Sequence, residues 1–196
     1  MSTRGFIGFV ADGTEKIAYN HSDSYPDGLG VEMLVWLRGV HLPHVRQQIE
    51  ALRVVDPESE PTDDDVKALK QYYNGSVGGP SNRPTWYQLL RETQGDPAAI
   101  LRAGVIEDAS NFPGDSLFAE YGYVVDLDAN TFEAYRGFQH EKHDKGRFAG
   151  RDPKPSIGDL YYPVALAASW PLDGLPDSDV FVSAILGDDE DAEVTR

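Results

Sequence analysis

The dipeptide Asp12-Gly13 constrains the start of this chain more than any other feature. It sits between two short strand-like runs, Gly5–Val10 and Glu15–Asn20. A two-residue type I′ turn needs positive φ at both central positions, and Asp-Gly is one of the pairs that supply it. The register of the hairpin then follows: Phe6 faces Tyr19, Gly8 faces Ile17 and Val10 faces Glu15. Continued outward, the ladder sets Arg4 opposite His21 and Ser2 opposite Asp23. Alternation puts Ser2, Arg4, His21 and Asp23 on one face with Phe6, Ile17 and Tyr19, which marks it as a core face. Thr3, Asn20 and Ser22 take the other. A change of one residue in turn length would reverse the assignment.

The open end of this hairpin gathers Arg4, Asn20, His21, Asp23 and Tyr25, the candidate ligand-binding residues. Two readings stand. The polar groups form a hydrogen-bonded network that closes the sheet end. Or they line a cleft, with Arg4 as an anion clamp and His21 and Asp23 as an acid–base pair. The segment "SYPDGLG" after them is turn chemistry, with Pro26 fixing φ and Gly28 and Gly30 permitting left-handed backbone.

Helical patterning fills the middle of the chain. Val31, Leu34, Val35 and Arg38 are at helical spacing, Pro43 interrupts, and "HVRQQIEALRVV" continues helically with Val45, Ile49 and Leu52 on one stripe. Thr62 and Asp65 predict a capped start for a helix with Val66, Leu69 and Tyr73 on its buried face. Residues 74–84 read as a loop. Thr85 and Gln88 form a capping-box pattern, and Asp96-Pro97 through Gly104 is a helix with both ends marked.

The second half returns to strands. Asp115–Phe138 reads as two strands around a turn near Asp128–Asn130, the first with neither face wholly polar and hence internal. "QHEKHDKGRFAGRDPKP" (Gln139–Pro155) is a basic loop, "LYYPVALAASW" a further strand and "LPDSDVFVSAIL" a closing helix. The order predicts an α+β fold: an antiparallel sheet built from an N-terminal and a C-terminal hairpin, with the helical middle packed on it. Residues 1–186 form one domain and 187–196 an acidic, flexible tail.

Composition narrows the function classes. The 196 residues carry a formal net charge of −16 and no cysteine. Disulfides, thiol catalysis and thiolate zinc sites are excluded. An acidic surface repels phosphate backbones, so no direct nucleic-acid binding is expected; a basic partner, or mimicry of nucleic acid, is the alternative to plain solubility. No apolar run approaches the roughly 18 residues of a membrane span. No signal-peptide pattern opens the chain, and a cytoplasmic location is expected.

The residues Thr3, Arg4, Tyr19, Asp23, Tyr25, Pro26, Gly28 and Gly30 compose the pattern Met-x-Thr-Arg, a hairpin, then Tyr-x-x-x-Asp-x-Tyr-Pro-x-Gly-x-Gly. With Ser116–Phe138, an aromatic strand followed by Asp-Leu-Asp-x-Asn-Thr, this resembles a family of bacteriophage, prophage and actinobacterial proteins with no established activity. The resemblance implies a phage-type accessory protein in the host cytoplasm. Such a protein would bind a host protein or small ligand in host takeover or anti-defence, or would be a component of the particle. The hairpin is also similar, more weakly, to that of N-terminal nucleophile hydrolases of the bile-salt-hydrolase and penicillin-acylase type. That likeness implies Ser2 as nucleophile, its α-amino group as base, and Asn20 or Asp23 in support.

Other constellations point to little. Asp126-x-Asp128-x-Asn130 opens like a calcium loop but lacks its glycine and terminal glutamate. His41/His44 and His140/His143 have no further zinc ligands in sequence. No metal or cofactor is implied. Arg136, Lys142, Lys145 and Arg147 form a candidate anion patch, with Phe138 and Phe148 available for stacking; the alternative is a solvated loop that neutralises an acidic neighbour in a homo-oligomer.

Overall fold

The computed structural model describes residues 2–79, 82–156 and 159–187. It is an α+β fold. Strands β1 (Gly5–Ala11) and β2 (Thr14–Asn20) lead to helices α1 (Val31–Gly39) and α2 (Leu42–Ala51). Strand β3 (Arg53–Val55), helices α3 (Asp63–Ala68), α4 (Trp86–Leu89) and α5 (Pro97–Ala103), and strand β4 (Val105–Glu107) follow. Strands β5 (Tyr121–Asp126) and β6 (Thr131–Arg136), β7 (Lys154–Ser156) and β8 (Asp159–Tyr161), then β9 (Ala165–Pro171) and α6 (Ser178–Leu186) complete it. The main sheet has five strands in the order β2-β1-β5-β6-β9. The acidic run expected to form a tail lies, beyond Gly187, outside the described residues.

The first hairpin has the expected register: Phe6 pairs with Tyr19, Gly8 with Ile17 and Val10 with Glu15. Asp12 and Gly13 both have positive φ, 50° and 67°, as a type I′ turn requires. The two hairpins do share one sheet, which is mainly antiparallel, but they meet through a parallel pair, β1 with β5. The helical crossover between them brings β5 back in the direction of β1. Residue Gly122 marks the seam: a Cβ there would stand 2.0 Å from the Phe6 ring, so glycine lets the ring lie against the backbone.

Both faces of the sheet are covered. On one, Ile7, Phe9, Tyr123, Val125 and Phe132 pack against Met33, Leu34, Leu37, Ile49 and Phe181 from α1, α2 and α6. On the other, Phe6, Ile17, Val124 and Tyr135 enclose Phe148. Phe148 belongs to the basic loop and is fully buried, edge-on to Phe6 at 5.5 Å. It therefore offers no ring for stacking, contrary to expectation. A third cluster, Leu69, Trp86, Leu89, Leu90 and Val105, joins α3 and α4 to β4.

The expected helix caps are present. Thr62 accepts from the Asp65 amide at 3.2 Å and Thr85 from the Gln88 amide at 3.3 Å. Asp96 accepts from Ala99 at 2.9 Å, and Gly104 is left-handed. Several helical expectations need correction. α1 buries Met33, Leu34 and Leu37 and leaves Val35 57% exposed, because the larger side chains of the neighbouring stripe bury more apolar area. Helix α2 stops at Ala51, and Arg53–Val55 is a strand parallel to β4. Two β-branched valines favour that ending. So does Lys16, whose Nζ donates to the carbonyls of Ile49, Glu50 and Leu52 at 2.6, 3.1 and 2.7 Å, closing the helix terminus with a cation. Helix α3 ends at Ala68, so Tyr73 falls beyond it and is exposed.

Arg147 is a principal anchor of the basic loop, beside Phe148 and Arg151, which donates to Glu15 at 2.6 Å. Arg147 donates to Glu133 at 2.7 and 2.8 Å and to Asp126 at 2.5 Å. Tyr135 donates to the same Glu133 at 2.6 Å. Replacing Arg147 by Ala would leave two carboxylates facing each other in a half-buried site, and urea denaturation at neutral pH should register a loss of about 3 kcal/mol.

Candidate functional site

The strand ladder ends at Gly5 and Asn20. Beyond it Asp23 adopts positive φ, 59°, and the chain turns. The Thr3 carbonyl accepts from Ser24 at 3.2 Å, and the Ser2 hydroxyl donates to the His21 carbonyl. Ser2 is thus not paired with Asp23 as a straight ladder would have it. The left-handed residue is Asp23, not Gly28 or Gly30, whose φ values are −96° and −59°. Those glycines answer to space instead. A Cβ on Gly28 would meet the Asp23 carbonyl at 2.9 Å, and one on Gly30 would meet Phe181 and Tyr123.

The turn divides the polar residues into two groups. Asn20 faces inward, is buried, and donates to the Ser22 carbonyl at 2.6 Å and to Ser24 Oγ at 2.8 Å. The Ser24 carbonyl accepts from the buried Tyr123 hydroxyl at 3.0 Å. This inner group locks the loop to β5. Asn20 also lines, with Ser22, Asp23, Arg91, Gln94, Glu32 and Asp96, a polar groove of about 310 Å³.

The outer group surrounds His21. Its Nδ1 lies 3.1 Å from the Tyr19 hydroxyl, and its amide donates to Gln94 Oε1 at 3.2 Å. Arg91 donates to the same Gln94 oxygen at 3.0 Å. The Arg4 guanidinium lies 5.4 Å from the Phe118 ring centre. Burial, then the positive charges of Arg91 and Arg4, hold the His21 imidazole below its ordinary value. Burial raises the Tyr19 phenol, with Arg4 and Arg91 opposing. Tyr25 stands outside both groups, 46% exposed, its ring 6.0 Å from that of Tyr121.

One neighbour was not expected from sequence. Glu107, the last residue of β4, lines a cavity of about 20 Å³ with Tyr19, Thr93 and Gln94, which is room for a single water. Burial alone pushes its carboxyl up to about 7, the range suited to a group that exchanges protons. Arg91 and Gln94 were not singled out either. All three come from segments with no motif of their own; only folding brings them to the hairpin.

The other sequence candidates are dispersed. Of the anion-patch residues, Arg147 is turned into the fold and Arg136 donates to the Leu186 carbonyl at 2.7 Å. Lys142 and Lys145 are exposed. Asp126 accepts from the amides of Asp128 and Ala129 at 2.9 and 2.8 Å, as a turn does. His143 bonds to the Pro163 carbonyl at 2.8 Å, and His140 packs on Tyr161. Among the described residues no three His, Asp or Glu side chains are grouped to hold a metal ion, and no helix is long and apolar enough to cross a membrane.

No family model matches this chain, and no curated protein or solved structure is significantly similar to it.

Glu107 makes stability depend on pH. The folded carboxyl keeps its proton up to about 7, whereas the unfolded one releases it near the ordinary glutamate value of about 4.3. Stability is lost as pH rises between those values, and the loss is complete above the upper one. The substitution Glu107→Gln should therefore leave stability near wild type at about pH 4 and raise it by about 2 kcal/mol at about pH 8, measured by urea denaturation.

Proposed function

We propose that this chain is a phage-type accessory protein that works by binding. Its ligand is a small molecule held at the open end of the N-terminal hairpin, and its service is to host takeover or anti-defence. The observation that carries this reading is the polar groove of about 310 Å³ between the Asn20–Asp23 loop and the Arg91–Asp96 turn. That volume is within the range of small-molecule sites. Its floor is held in place: Asn20, Ser24 and Tyr123 form a hydrogen-bonded chain behind it. Side chains that line it are then displayed from a fixed backbone, which lowers the entropic cost of binding.

A binding role also accords with the chemistry at hand. The Ser2 hydroxyl is engaged with a backbone carbonyl rather than with a base, and the Asn20 amide nitrogen bonds to the loop. A small ligand suits a concave, polar groove better than a protein partner does, since protein interfaces centre on larger apolar anchors.

Glu32 is exposed on α1 and borders the groove. Glu32→Trp should fill the space without disturbing the core. Small-molecule binding, followed by thermal shift over a chemically mixed set of metabolites, should then be lost while the unliganded melting temperature stays within about 2 °C of wild type. Ligands that bind the variant as tightly as the wild type would show that the site is elsewhere.

A further inference from the structure

We propose that the chain carries a second small-molecule site, separate from the groove, for an aromatic carboxylate. It is the pocket between α3 and the residues that lead into α4, with Lys67 and Lys70 holding the carboxylate and an apolar wall holding the ring.

The pocket has a volume of about 400 Å³, within the range of small-molecule sites. Its apolar lining is Val66, Tyr73, Pro84 and Leu89. Leu89 is 1% exposed and belongs to the cluster that joins α3 and α4 to β4, so the hollow reaches down to core. Tyr73, by contrast, is left 43% exposed beyond the end of α3. An apolar hollow with a few polar groups on one side is how small-molecule sites are built. A tyrosine ring and a proline ring on its wall suit a flat aromatic body.

The polar lining comes from the α3 side alone: Asp63, Lys67 and Lys70. The two lysines are three residues apart, which sets them on one side of a helical turn. Asp63 is already engaged, because it accepts from Arg83. Among the described residues, neither lysine ammonium has a carboxylate within 4 Å. In a chain where acidic residues outnumber Lys and Arg by 33 to 17, two neighbouring cations without an acid are available to an incoming anion. A carboxylate between them forms charge-assisted hydrogen bonds to both. The acids of the first turn of α3, Asp63, Asp64 and Asp65, stand against a more highly charged group such as a phosphate.

The walls are fixed before any ligand arrives. Beside Tyr73, the Asn74 amide donates to the Gln88 carbonyl at 2.9 Å. The buried Gln88 side chain donates in turn to the carbonyls of Val77 and Gly79 at 2.9 and 3.3 Å. A Cβ on Gly75 would stand 2.5 Å from the Tyr73 hydroxyl, so glycine there lets the tyrosine seat against the backbone. Beside Pro84, the Arg83–Asp63 pair ties the other wall to α3. A pocket held open in this way spends little entropy on binding.

Isothermal titration calorimetry at neutral pH tests this with 2-naphthoate, its uncharged counterpart 2-naphthalenemethanol, 2-naphthyl phosphate and octanoate as probes. Naphthoate should bind saturably, and the other three at least tenfold more weakly. The double variant Lys67→Gln/Lys70→Gln should weaken naphthoate at least tenfold, leave naphthalenemethanol unchanged and keep the melting temperature within about 2 °C of wild type. Tyr73→Ala should weaken both. Naphthoate binding that survives the double variant would overturn the carboxylate site. Octanoate binding as tightly as naphthoate would overturn the aromatic assignment, and tighter binding of the phosphate would overturn the carboxylate assignment. Glu32→Trp should leave naphthoate binding unchanged. If Glu32→Trp abolishes it, naphthoate occupies the groove and this inference fails while the groove reading stands. If naphthoate does not bind at all, this inference fails alone, since the groove is judged on the ligands that Glu32→Trp removes.

Discussion

The parallel pairing of β1 with β5 is the contact on which the rest of the structure depends. It joins two hairpins that are separated by the whole helical crossover, and it buries β1 completely on both faces. Its closeness has a steric condition: Gly122 lets the Phe6 ring lie against β5. Once that seam is made, both hairpin tips come together, and Asp128 of the second accepts from the amides of Asp12 and Gly13 of the first at 3.1 and 2.8 Å. At the opposite end, Arg4 and Glu120 exchange backbone and side-chain bonds, which holds the first residues of β1 beside the candidate site.

Charge is used inside this fold as much as outside it. Lys16 closes the end of α2, Arg46 joins Asp128 at 2.8 Å, and Arg147 ties the basic loop to β5 and β6. Each is a cation satisfied by several acceptors at once, the condition under which partly buried charges become tolerable. The loop that reads in sequence as a basic surface patch is therefore a cover for the second face of the sheet, anchored by Phe148 and Arg147. Near the hairpin end, Arg4 lies instead over the Phe118 ring and Arg91 donates to Gln94.

Local signals were legible where the physics is local. The Asp12-Gly13 turn set its register, and the caps at Thr62, Thr85 and Asp96 and the left-handed Gly104 depend on residues within a turn of each other. Expectations failed where a neighbour distant in sequence decides. Met33 and Val35 lie on nearly opposite faces of α1, and packing against the sheet selected the Met33 face. Leu52 looked like a continuation of α2 until Lys16 and the β3–β4 pairing ended it. Gly28 and Gly30 look alike in sequence whether they serve φ or space.

The candidate site divides in the same way. Sequence alone determined that Arg4, Tyr19 and His21 share one side of the hairpin, because a two-residue turn and a period of two leave no other arrangement. Tertiary structure decided that Asn20 holds the loop as well as lining the groove, that Asp23 turns out of the ladder, and that Arg91, Gln94 and Glu107 complete the surroundings. Those three lie more than seventy residues from the hairpin, in segments whose own sequence serves a helix end or a short strand. No spacing rule reaches across that distance; only the packing of the crossover onto the sheet brings these side chains to the hairpin end.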